Sequence, residues 1–444
     1  MSAATQTPSR GRLWKHRAFM LFWLGETVSL FGTQVTLLAL PLTAVLTLNA
    51  TASQLGFIRF VEQLPYLLFT LIFGAWVDRR HRRPVMILAN AARAFLIVLV
   101  PLFAIFGLLH LWLLAAIAFA VGIFTVLFDL TWLAYVPTLI TSDELVEANG
   151  KVATSASAAE VAGPGLGGLL VQLLSAPVAL LADAISYVVA TITLLAIRAP
   201  EPAPHVQPGQ RGRLLRDIGV GIAVVWRNLN LRAIMVMSGL WNMLFGIADT
   251  AFVLYAVREL HLGAGTLGAI YAVGAIGGLV GSAISTRLGQ RGRFGPVLGI
   301  AFTFGTVPWL LLPAAAGPLP VMVVAFTLAY FLVRTGLGLW SVLVLSYRQA
   351  VTPLRLLGRV GASLRFVSYG LGALGFLLAS GLTSFLSLHA ALWLAAGGFV
   401  AILLVVLLAT PLPRLRALPT APDPALMDDE PTIPPVSDGA PASV

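Results

Sequence analysis

Apolar stretches of about 20 residues recur along the whole chain, and short polar segments rich in arginine separate them. Each stretch is long enough to cross a hydrocarbon core of about 30 Å as an α-helix. We predict twelve such helices, at residues 18–47, 54–77, 84–108, 111–134, 149–174, 178–198, 232–257, 264–288, 294–313, 319–345, 358–387 and 389–410. The pattern therefore predicts an all-α membrane protein that crosses the bilayer twelve times.

The composition excludes a soluble protein and gives no sign of enzyme chemistry. Of the 444 residues, 58% are hydrophobic and 10% are charged, whereas soluble globular chains carry about 25% charged residues. The chain has no cysteine, and its six histidines are not at metal-ligand spacing. It also has no nucleotide-binding loop, metalloprotease motif or serine-hydrolase motif. We therefore expect no enzyme activity, no ATP drive, no cofactor and no bound metal.

The basic residues predict the orientation of the chain. Of the 28 Lys and Arg residues, 23 lie in the tails and in loops on the same side as the tails, and Arg258 is the only one in the opposite loops. By the positive-inside rule, both termini are cytoplasmic in a bacterial cytoplasmic (inner) membrane. The Lys and Arg residues that give the net charge of +10 then lie beside anionic lipid headgroups. We therefore expect no nucleic acid partner.

A long central loop divides the twelve spans into six and six. We predict a cytoplasmic tail at 1–15, a first half at 16–198, a central loop at 199–231, a second half at 232–410 and a disordered cytoplasmic tail at 411–444. The central loop carries a predicted amphipathic surface helix between Arg211 and Arg227. The two halves look like distant copies, in which Thr286 takes the place of Asp78.

The segment at residues 74–84 reads Gly-Ala-Trp-Val-Asp-Arg-Arg-His-Arg-Arg-Pro and lies between two apolar stretches. It resembles the signature loop between helices 2 and 3 of the major facilitator superfamily, Gly-x-x-x-Asp-Arg-x-Gly-Arg-Arg/Lys. The positions in register are Gly74, Asp78, Arg79, Arg82 and Arg83. The resemblance, which covers about residues 15–410, implies two six-helix halves around a midplane cavity that opens alternately to each side.

We interpret this loop as a cytoplasmic gate. Gly74 would let helix 2 approach a neighbour closely. Asp78 would lie near the positively polarised N-terminus of helix 11. The arginines would pair with Asp129, near the cytoplasmic end of helix 4. In the alternative interpretation the arginines are ordinary positive-inside anchors, which would require neither aspartate.

Helix 5 carries a second motif, formed by Gly150, Gly163, Pro164, Gly167 and Gly168. It resembles the antiporter motif of drug–proton exchangers in the superfamily, in which the proline bends the helix and the glycines let another helix pack on the bend. The alternative is that Gly and Pro are simply frequent in membrane helices. Helix 4 lacks the arginine that such exchangers commonly carry. This absence is combined with three motifs: Asp-Arg-x-x-Arg-Arg, the loop Glu144-Leu145-x-x-Ala148-Asn149 and the loop Gly358-Arg359-Val360. On these features the chain resembles the group that exports macrolides, tetracyclines and siderophores more than the better-known multidrug group.

Six ionisable side chains inside the spans are candidates for binding protons or substrate, because a charge at the bilayer centre costs at least ~2.5 kcal/mol unless it is paired or hydrated. They are Glu26, Glu160, Glu62, Arg59, Arg334 and Asp249. Glu26 is the first choice, because its own helix offers no partner. Two alternatives stay open. Arg59 and Glu62 lie three residues apart and can neutralise each other, and Glu160 and Arg334 can form a static pair between the halves.

Two further groups complete the candidate residues. Arg93 and Asp183 lie in helices that the resemblance places at the periphery, and we assign them structural roles. An apolar cavity lining would come from aromatic residues of the central helices, namely Phe22, Trp23, Phe57, Phe60, Tyr66, Trp241, Phe245 and Tyr330. Rings of this kind suit bulky hydrophobic ligands.

The sequence therefore predicts a monomeric secondary transporter that exports a bulky hydrophobic or amphiphilic compound by proton antiport. Its expected partners are a small-molecule substrate, protons and the lipid bilayer. Two alternatives use the same fold, a lysophospholipid flippase and a nutrient importer. A third alternative is a membrane sensor that transports nothing.

Overall fold

The computed structural model describes residues 12–77, 80–141, 144–198, 201, 219, 222–289, 294–353 and 356–415. Within these ranges all regular secondary structure is helical. The long helices are α1 (Arg17–Leu42), α2 (Ala52–Val77), α3 (Arg82–Ile105), α4 (Leu111–Leu139), α5 (Leu145–Leu174), α6 (Leu181–Ala196), α7 (Leu229–Leu254), α8 (Ala264–Gly289), α9 (Phe294–Thr306), α10 (Leu319–Val351), α11 (Leu357–Leu382) and α12 (Leu388–Ala409).

Eleven candidate spans in the described part of the chain are long and apolar enough to cross a membrane. The remaining long helix, α2, has 26 residues, or about 39 Å, and carries Arg59, Glu62 and Gln63 in its first half. The prediction of an all-α protein with twelve membrane helices is confirmed. The bounds differ most at four helix ends. α4 and α10 extend to Leu139 and Val351, α11 ends at Leu382, and α9 ends at Thr306 before a 3-10 turn (Val307–Leu310) and a short helix (Leu311–Ala314).

Polar side chains at the helix starts explain several of these bounds. The imidazole Nδ1 of His16 accepts from the backbone N–H of Phe19 at 3.2 Å, and His110 does the same for Leu113 at 3.3 Å. Asn228 Oδ1 accepts from two backbone N–H groups in the first turn of α7. Each cap satisfies donors that the first turn of a helix leaves unpaired.

The second half of the chain repeats the first at a spacing of 212 positions. α1 and α7 begin at residues 17 and 229, α2 and α8 begin at 52 and 264, and each of the four has 26 residues. α1 and α7 both continue into a π-helical turn, Thr43–Thr47 and Tyr255–Glu259. Each turn leads to a residue in the left-handed region, Asn49 (φ 51°) and His261 (φ 52°).

The same spacing holds for α3 and α9. The backbone N–H of Arg83 donates to the carboxylate of Glu201 at 3.2 Å. The positions 212 residues after Arg83 and Glu201 are Gly295 and Pro413. These two residues are also in contact, because a Cβ on Gly295 would lie 2.6 Å from the carbonyl oxygen of Pro413. The helix packing also repeats, because α1 packs on α5 and α6 as α7 packs on α11 and α12. We call α1–α6 the N half and α7–α12 the C half.

This register corrects one sequence prediction. Because α2 and α8 begin at Ala52 and Ala264, Thr286 corresponds to Gly74 and lies one helical turn before the counterpart of Asp78. The prediction that Thr286 takes the place of Asp78 is therefore wrong. Asp78 and Arg79 lie outside the described residues, as do most of both predicted tails (1–11 and 416–444) and most of the predicted surface helix, of which residues 222–227 are helical.

The two halves meet through two equivalent helix pairs, α2 with α11 and α5 with α8. A Cβ on Gly56 would lie 2.7 Å from the backbone nitrogen of Ser380, and a Cβ on Gly168 would lie 2.5 Å from the carbonyl oxygen of Ala264. Only glycine allows backbones to approach this closely. Both contacts lie on the side of the bundle opposite the described chain ends, which we call the opposite side.

Two polar contacts between the halves add to the closure of the opposite side. The Arg258 guanidinium donates to the carbonyl oxygen of Ala50 at 2.6 Å, and the hydroxyls of Ser53 and Ser380 are 3.1 Å apart. On the side of the chain ends, which we call the termini side, no atom lies within 4 Å of a Cβ built on Gly74 or Gly358. Among the described residues, contacts between the halves therefore close the opposite side, and none forms at Gly74 or Gly358 on the termini side.

This geometry predicts a selective cross-link. Because the chain has no cysteine, a Ser53→Cys/Ser380→Cys variant carries only the two introduced thiols, at hydroxyl positions 3.1 Å apart. We expect oxidation of the purified, unliganded protein to form the disulfide within minutes and to shift its gel mobility. The matched pair Gly74→Cys/Gly358→Cys should not cross-link under the same conditions. Faster cross-linking of this second pair would show that the opposite side is the open one.

Candidate functional site

A cavity of about 330 Å³ lies between the two halves. Residues of α1, α2 and α5 line it from the N half, and residues of α7, α8, α10 and α11 line it from the C half. Four of the six predicted ionisable residues line it directly: Arg59, Glu160, Asp249 and Arg334. The resemblance also implies a contribution from α4, but no residue of α4 is part of this lining.

Arg59 joins two carboxylates, one from each half. Its guanidinium is 3.3 Å from Glu62 on the same helix and 3.3 Å from Asp249 on α7. The side chains of Arg59 and Asp249 are 14% and 9% exposed, and the guanidinium also lies 5.8 Å from the ring centroid of Phe376. The pairing of Arg59 with Glu62 is therefore present, but it is half of a buried cluster that also links the halves.

Glu160 and Arg334 form a second pair between the halves, at 3.6 Å. Both side chains face open space, because they are 51% and 42% exposed. A pair in this position can be opened by a ligand at little cost, since exposed ion pairs contribute only ~0–1 kcal/mol.

Glu26 lies away from this cavity, inside the N half. It is half-buried and is not part of the cavity lining. Arg93 on α3 and Asp129 on α4 are the charged groups that act on it electrostatically. The charged groups that act on Glu26 thus lie on other helices, and the role predicted for Glu26 stays a prediction.

Arg93 is the centre of a cluster that sequence reasoning missed. Its side chain is 3% exposed, and its guanidinium carbon lies 4.3 Å from the ring centroids of both Phe128 and Tyr187. The guanidinium also donates to Asn90 Oδ1. Asn90 and Arg93 lie three residues apart on one helix face, and this spacing is the signal that could have indicated a buried polar site.

Asp183 is held by hydroxyl groups at the edge of this cluster. It is fully buried and accepts from Thr36 Oγ1 at 2.5 Å and from Ser186 Oγ at 3.1 Å. Arg93 also acts on it electrostatically. These contacts explain how a carboxyl group is accommodated in α6.

The predicted gate is only partly described, and its described contacts differ from the expectation. The backbone N–H groups of Arg82 and Arg83 both donate to Glu201, and the Arg83 side chain donates to the carbonyl oxygens of Leu194 and Leu195 at 2.8 and 2.9 Å. These contacts tie the start of α3 to the end of α6 and to Glu201 in the predicted central loop.

The expected pairing of these arginines with Asp129 is not among the described contacts. Asp129 accepts from the hydroxyl of Tyr66 at 2.8 Å. It lies ten residues before the end of α4 at Leu139, or about 15 Å inside the bundle, whereas Arg82 is the first residue of α3. The difference in depth separates them. The close helix contact expected at Gly74 is also absent in this conformation, since no atom lies within 4 Å of a Cβ built there.

The glycines of helix 5 support two different helix contacts. A Cβ on Gly167 would lie 3.2 Å from Val35 Cα, and one on Gly163 would clash with the side chain of Gln34, so this face packs on α1. Gly168 packs on α8. Pro164 lies inside the helix and lines the cavity, whereas Gly150 has no atom within 4 Å of a built Cβ.

Of the eight aromatic residues predicted to line a cavity, Phe245 and Tyr330 line this one. Tyr66 stacks on the cavity-lining Tyr369, with ring centroids 5.5 Å apart. The others pack elsewhere in the bundle: Phe22 on Tyr135, Trp23 on Trp14, Phe57 on Phe60 and Trp112, and Trp241 on Phe245 and Phe399.

The chain matches known sequences over most of its length. A family profile described as Major Facilitator Superfamily matches residues 22–375. The multidrug efflux pump Tap of Mycolicibacterium fortuitum is 26% identical over 413 residues, which cover 88% of this chain and 95% of that protein. Macrolide efflux protein A of Streptococcus pyogenes is 25% identical over 249 residues, which cover 55% of this chain and 60% of that protein. The chain thus matches less than two thirds of the length of this second relative.

Solved structures share the fold. The nucleoside transporter NupG superposes with a TM-score of 0.69 at 10% identity, covering 88% of this chain and 98% of that one. A bacterial homologue of the iron transporter ferroportin, in an inward-facing state, superposes with a TM-score of 0.66 at 17% identity, covering 88% and 98%.

The two cavity ion clusters should differ in their effect on stability. Arg59→Gln leaves the buried carboxylate of Asp249 and the partly buried carboxylate of Glu62 without their cation, and removing one partner of a buried pair costs ~3–5 kcal/mol. Arg334→Gln opens an exposed pair, which contributes only ~0–1 kcal/mol. We expect thermal unfolding of the purified protein to occur several degrees lower for Arg59→Gln and close to the parent for Arg334→Gln. Equal shifts in both variants would contradict this assignment.

Proposed function

The chain belongs to the Major Facilitator Superfamily, and from this we propose that it exports a bulky hydrophobic or amphiphilic compound, of the drug, macrolide or siderophore class, by proton antiport. As a member of a transporter superfamily it is a multi-pass membrane transporter and not an enzyme. The observation that carries the proposal is the cavity of about 330 Å³ between the two halves, in which Glu160 and Arg334 face each other in open space.

Charge and shape support a cationic or zwitterionic amphiphile as substrate. The cavity and its adjoining Glu62 contain three carboxylates and two guanidinium groups, so one negative charge is in excess when all are ionised. Aromatic rings of Phe245, Tyr330 and Tyr369 supply apolar surface around them. An amine group of the substrate can compete with Arg334 for Glu160, while its apolar body packs on the rings.

Proton entry and substrate export are coupled if one carboxylate binds either a proton or the substrate cation, but not both at once. In this scheme Glu160 releases its proton to the cytoplasm, pairs with the substrate, and is protonated again after the substrate leaves on the outer side. Glu26 is the alternative proton carrier, placed off the cavity beside Arg93. The buried cluster of Arg59 with Asp249 joins the halves near the closed side, and it must separate when that side opens.

The proposed direction of transport rests on orientation and on relatives. With both termini in the cytoplasm, as the positive-inside rule predicts, the contacts that hold the halves together lie on the outer side. In our proposal this conformation loads a compound from the cytoplasm for export. The relatives named as efflux proteins favour the same direction. The loop of Asp78, Arg79, Arg82 and Arg83 would then close the cytoplasmic side in the other half of the cycle.

Dye efflux tests the proposal. Cells that lack their main exporters and express this protein should expel ethidium, and a protonophore should stop the efflux. Glu160→Gln should lower the efflux rate about tenfold, as expected for the loss of a charged contact of about 1.5 kcal/mol. Glu144→Gln is the matched control and should behave as the parent. Glu144 is not part of the cavity lining, and its side chain accepts a hydrogen bond from the hydroxyl of Thr141 in the loop before α5.

Three outcomes would contradict the proposal in different ways. Efflux that persists with the protonophore would remove proton coupling. Full, proton-dependent efflux in a Glu26→Gln/Glu160→Gln double variant would remove the coupling role of both carboxylates. Absence of efflux for several amphiphilic dyes would favour a lipid flippase or an importer instead.

A further inference from the structure

The C half contains a second, smaller pocket of about 150 Å³ between α7, α9 and α10. Three aromatic residues, Trp241, Phe302 and Trp340, form much of its wall, and Ser238 and Asn242 are its polar residues. None of its lining residues is charged. Asn242 also lines the central cavity, so the two spaces adjoin at this residue.

In the N half, the equivalent space is occupied by a cation of the protein itself. At the 212-residue spacing of the two halves, Gly305 in the pocket corresponds to Arg93, and Trp340 corresponds to Phe128. The Arg93 guanidinium lies between Phe128 and Tyr187, 4.3 Å from each ring centroid. The fold thus builds a slot for a guanidinium between aromatic rings, and the N half fills it.

The C half keeps the rings and lacks the cation. The ring centroids of Trp340 and Phe302 are 4.9 Å apart. Trp241 also lines the pocket, and its indole N–H donates to the carbonyl oxygen of Gly305 at 2.9 Å. Its ring stacks on Phe245 and packs at 5.7 Å on Phe399, the counterpart of Tyr187. A Cβ on Gly305 would meet only the side chain of Leu337, at 3.9 Å. A side chain can therefore begin at this position without a clash of its Cβ, and Gly305 itself lines the pocket.

The polar residues of the two slots also differ in charge: the N half has a charged residue where the C half has a neutral one. Glu26, on which the fixed cation of the N half acts electrostatically, is replaced by Ser238 at the corresponding position of the C half. A permanent cation in a membrane helix needs a nearby carboxylate, whereas a cation that enters and leaves does not need one of its own. The excess carboxylate of the adjoining cavity can supply the balancing charge.

We propose that this pocket binds the cationic head of the transported compound, an alkylammonium or guanidinium group, against the ring of Trp340. The apolar body of the compound stays in the central cavity, and Asn242 lies where the two parts join. Ring faces attract organic cations most strongly where water is excluded. The inference rests on the proposed function and narrows its substrate class to organic cations with an apolar body.

Two probes of equal shape test the charge preference. One is a dansyl fluorophore that carries a trimethylammonium arm, and the other carries the neutral tert-butyl arm. Equilibrium binding is measured by fluorescence on the purified full-length protein in lipid nanodiscs. We expect the cationic probe to bind between about three- and thirtyfold more tightly, the range of a cation–π contact.

Two pairs of variants locate the preference in the pocket. Gly305→Arg should fill the slot as Arg93 does in the N half and reduce the preference to about one. Its matched control, Gly305→Ala, should keep the preference, since an added Cβ meets no atom closer than 3.9 Å. Trp340→Leu should also lose the preference, and Trp340→Phe should keep it, which guards against a Gly305→Arg variant that fails to fold.

Equal binding of the two probes to the parent protein would overturn the proposal and indicate a purely apolar pocket, such as one for a lipid chain. A preference that survives in both Gly305→Arg and Trp340→Leu would place the cation site elsewhere and overturn it as well. The binding assay does not depend on transport. A charge preference without proton-dependent dye efflux would therefore refute the exporter and leave the cation site standing, whereas efflux without the preference would do the reverse.

Discussion

The close backbone contacts of α2 with α11 and of α5 with α8 hold the two halves together on the opposite side, and the central cavity depends on them. Gly56 and Gly268 occupy equivalent positions at these two crossings, and in both cases a Cβ would overlap the backbone of the facing helix. In a hydrocarbon layer the backbone of each helix is satisfied internally, so helices associate by close packing and not by exchange of backbone hydrogen bonds. Two crossings of this kind can separate without breaking either half, which is what alternating access requires.

Charged side chains follow a second rule, because hydrocarbon does not tolerate an isolated charge. Arg59 satisfies this rule with two carboxylates, Arg93 with two aromatic rings and Asn90, and Arg334 with Glu160 in an open cavity. The three solutions differ in burial and therefore in how readily they open. The exposed pair of Glu160 and Arg334 is the easiest to exchange for a ligand, and the buried clusters mainly maintain the packing of this conformation.

The internal repeat shows how one architecture carries two different interiors. Helix bounds, the π-helical turns and the left-handed residues Asn49 and His261 recur at the same spacing. The side chains at equivalent sites have diverged. The N half encloses Arg93 with acidic residues around it, and the C half has glycine at that position and a pocket walled by tryptophan and phenylalanine. Backbone geometry is shared because packing conserves it, while side-chain chemistry is free to differ between the halves.

The sequence by itself determined the elements and the class of protein. Apolar segments of membrane-spanning length set the twelve helices, since the hydrocarbon core imposes one length on all of them. The loop at residues 74–84 and the glycines of helix 5 indicated the superfamily. The intrahelical pair of Arg59 and Glu62 was also accessible, because a spacing of three places both side chains on one face.

Only the tertiary structure decided which charges meet between helices. Asp249 joins Arg59 and Glu201 joins Arg82 across 190 and 119 positions of sequence, and no local pattern carries such distances. The rotation of each helix likewise decided that Phe245 and Tyr330 face the cavity while Phe22 and Trp23 do not. A hydrophobic pattern determines where a membrane helix begins and ends. When lipid and protein neighbours are equally apolar, it cannot determine which face turns inward.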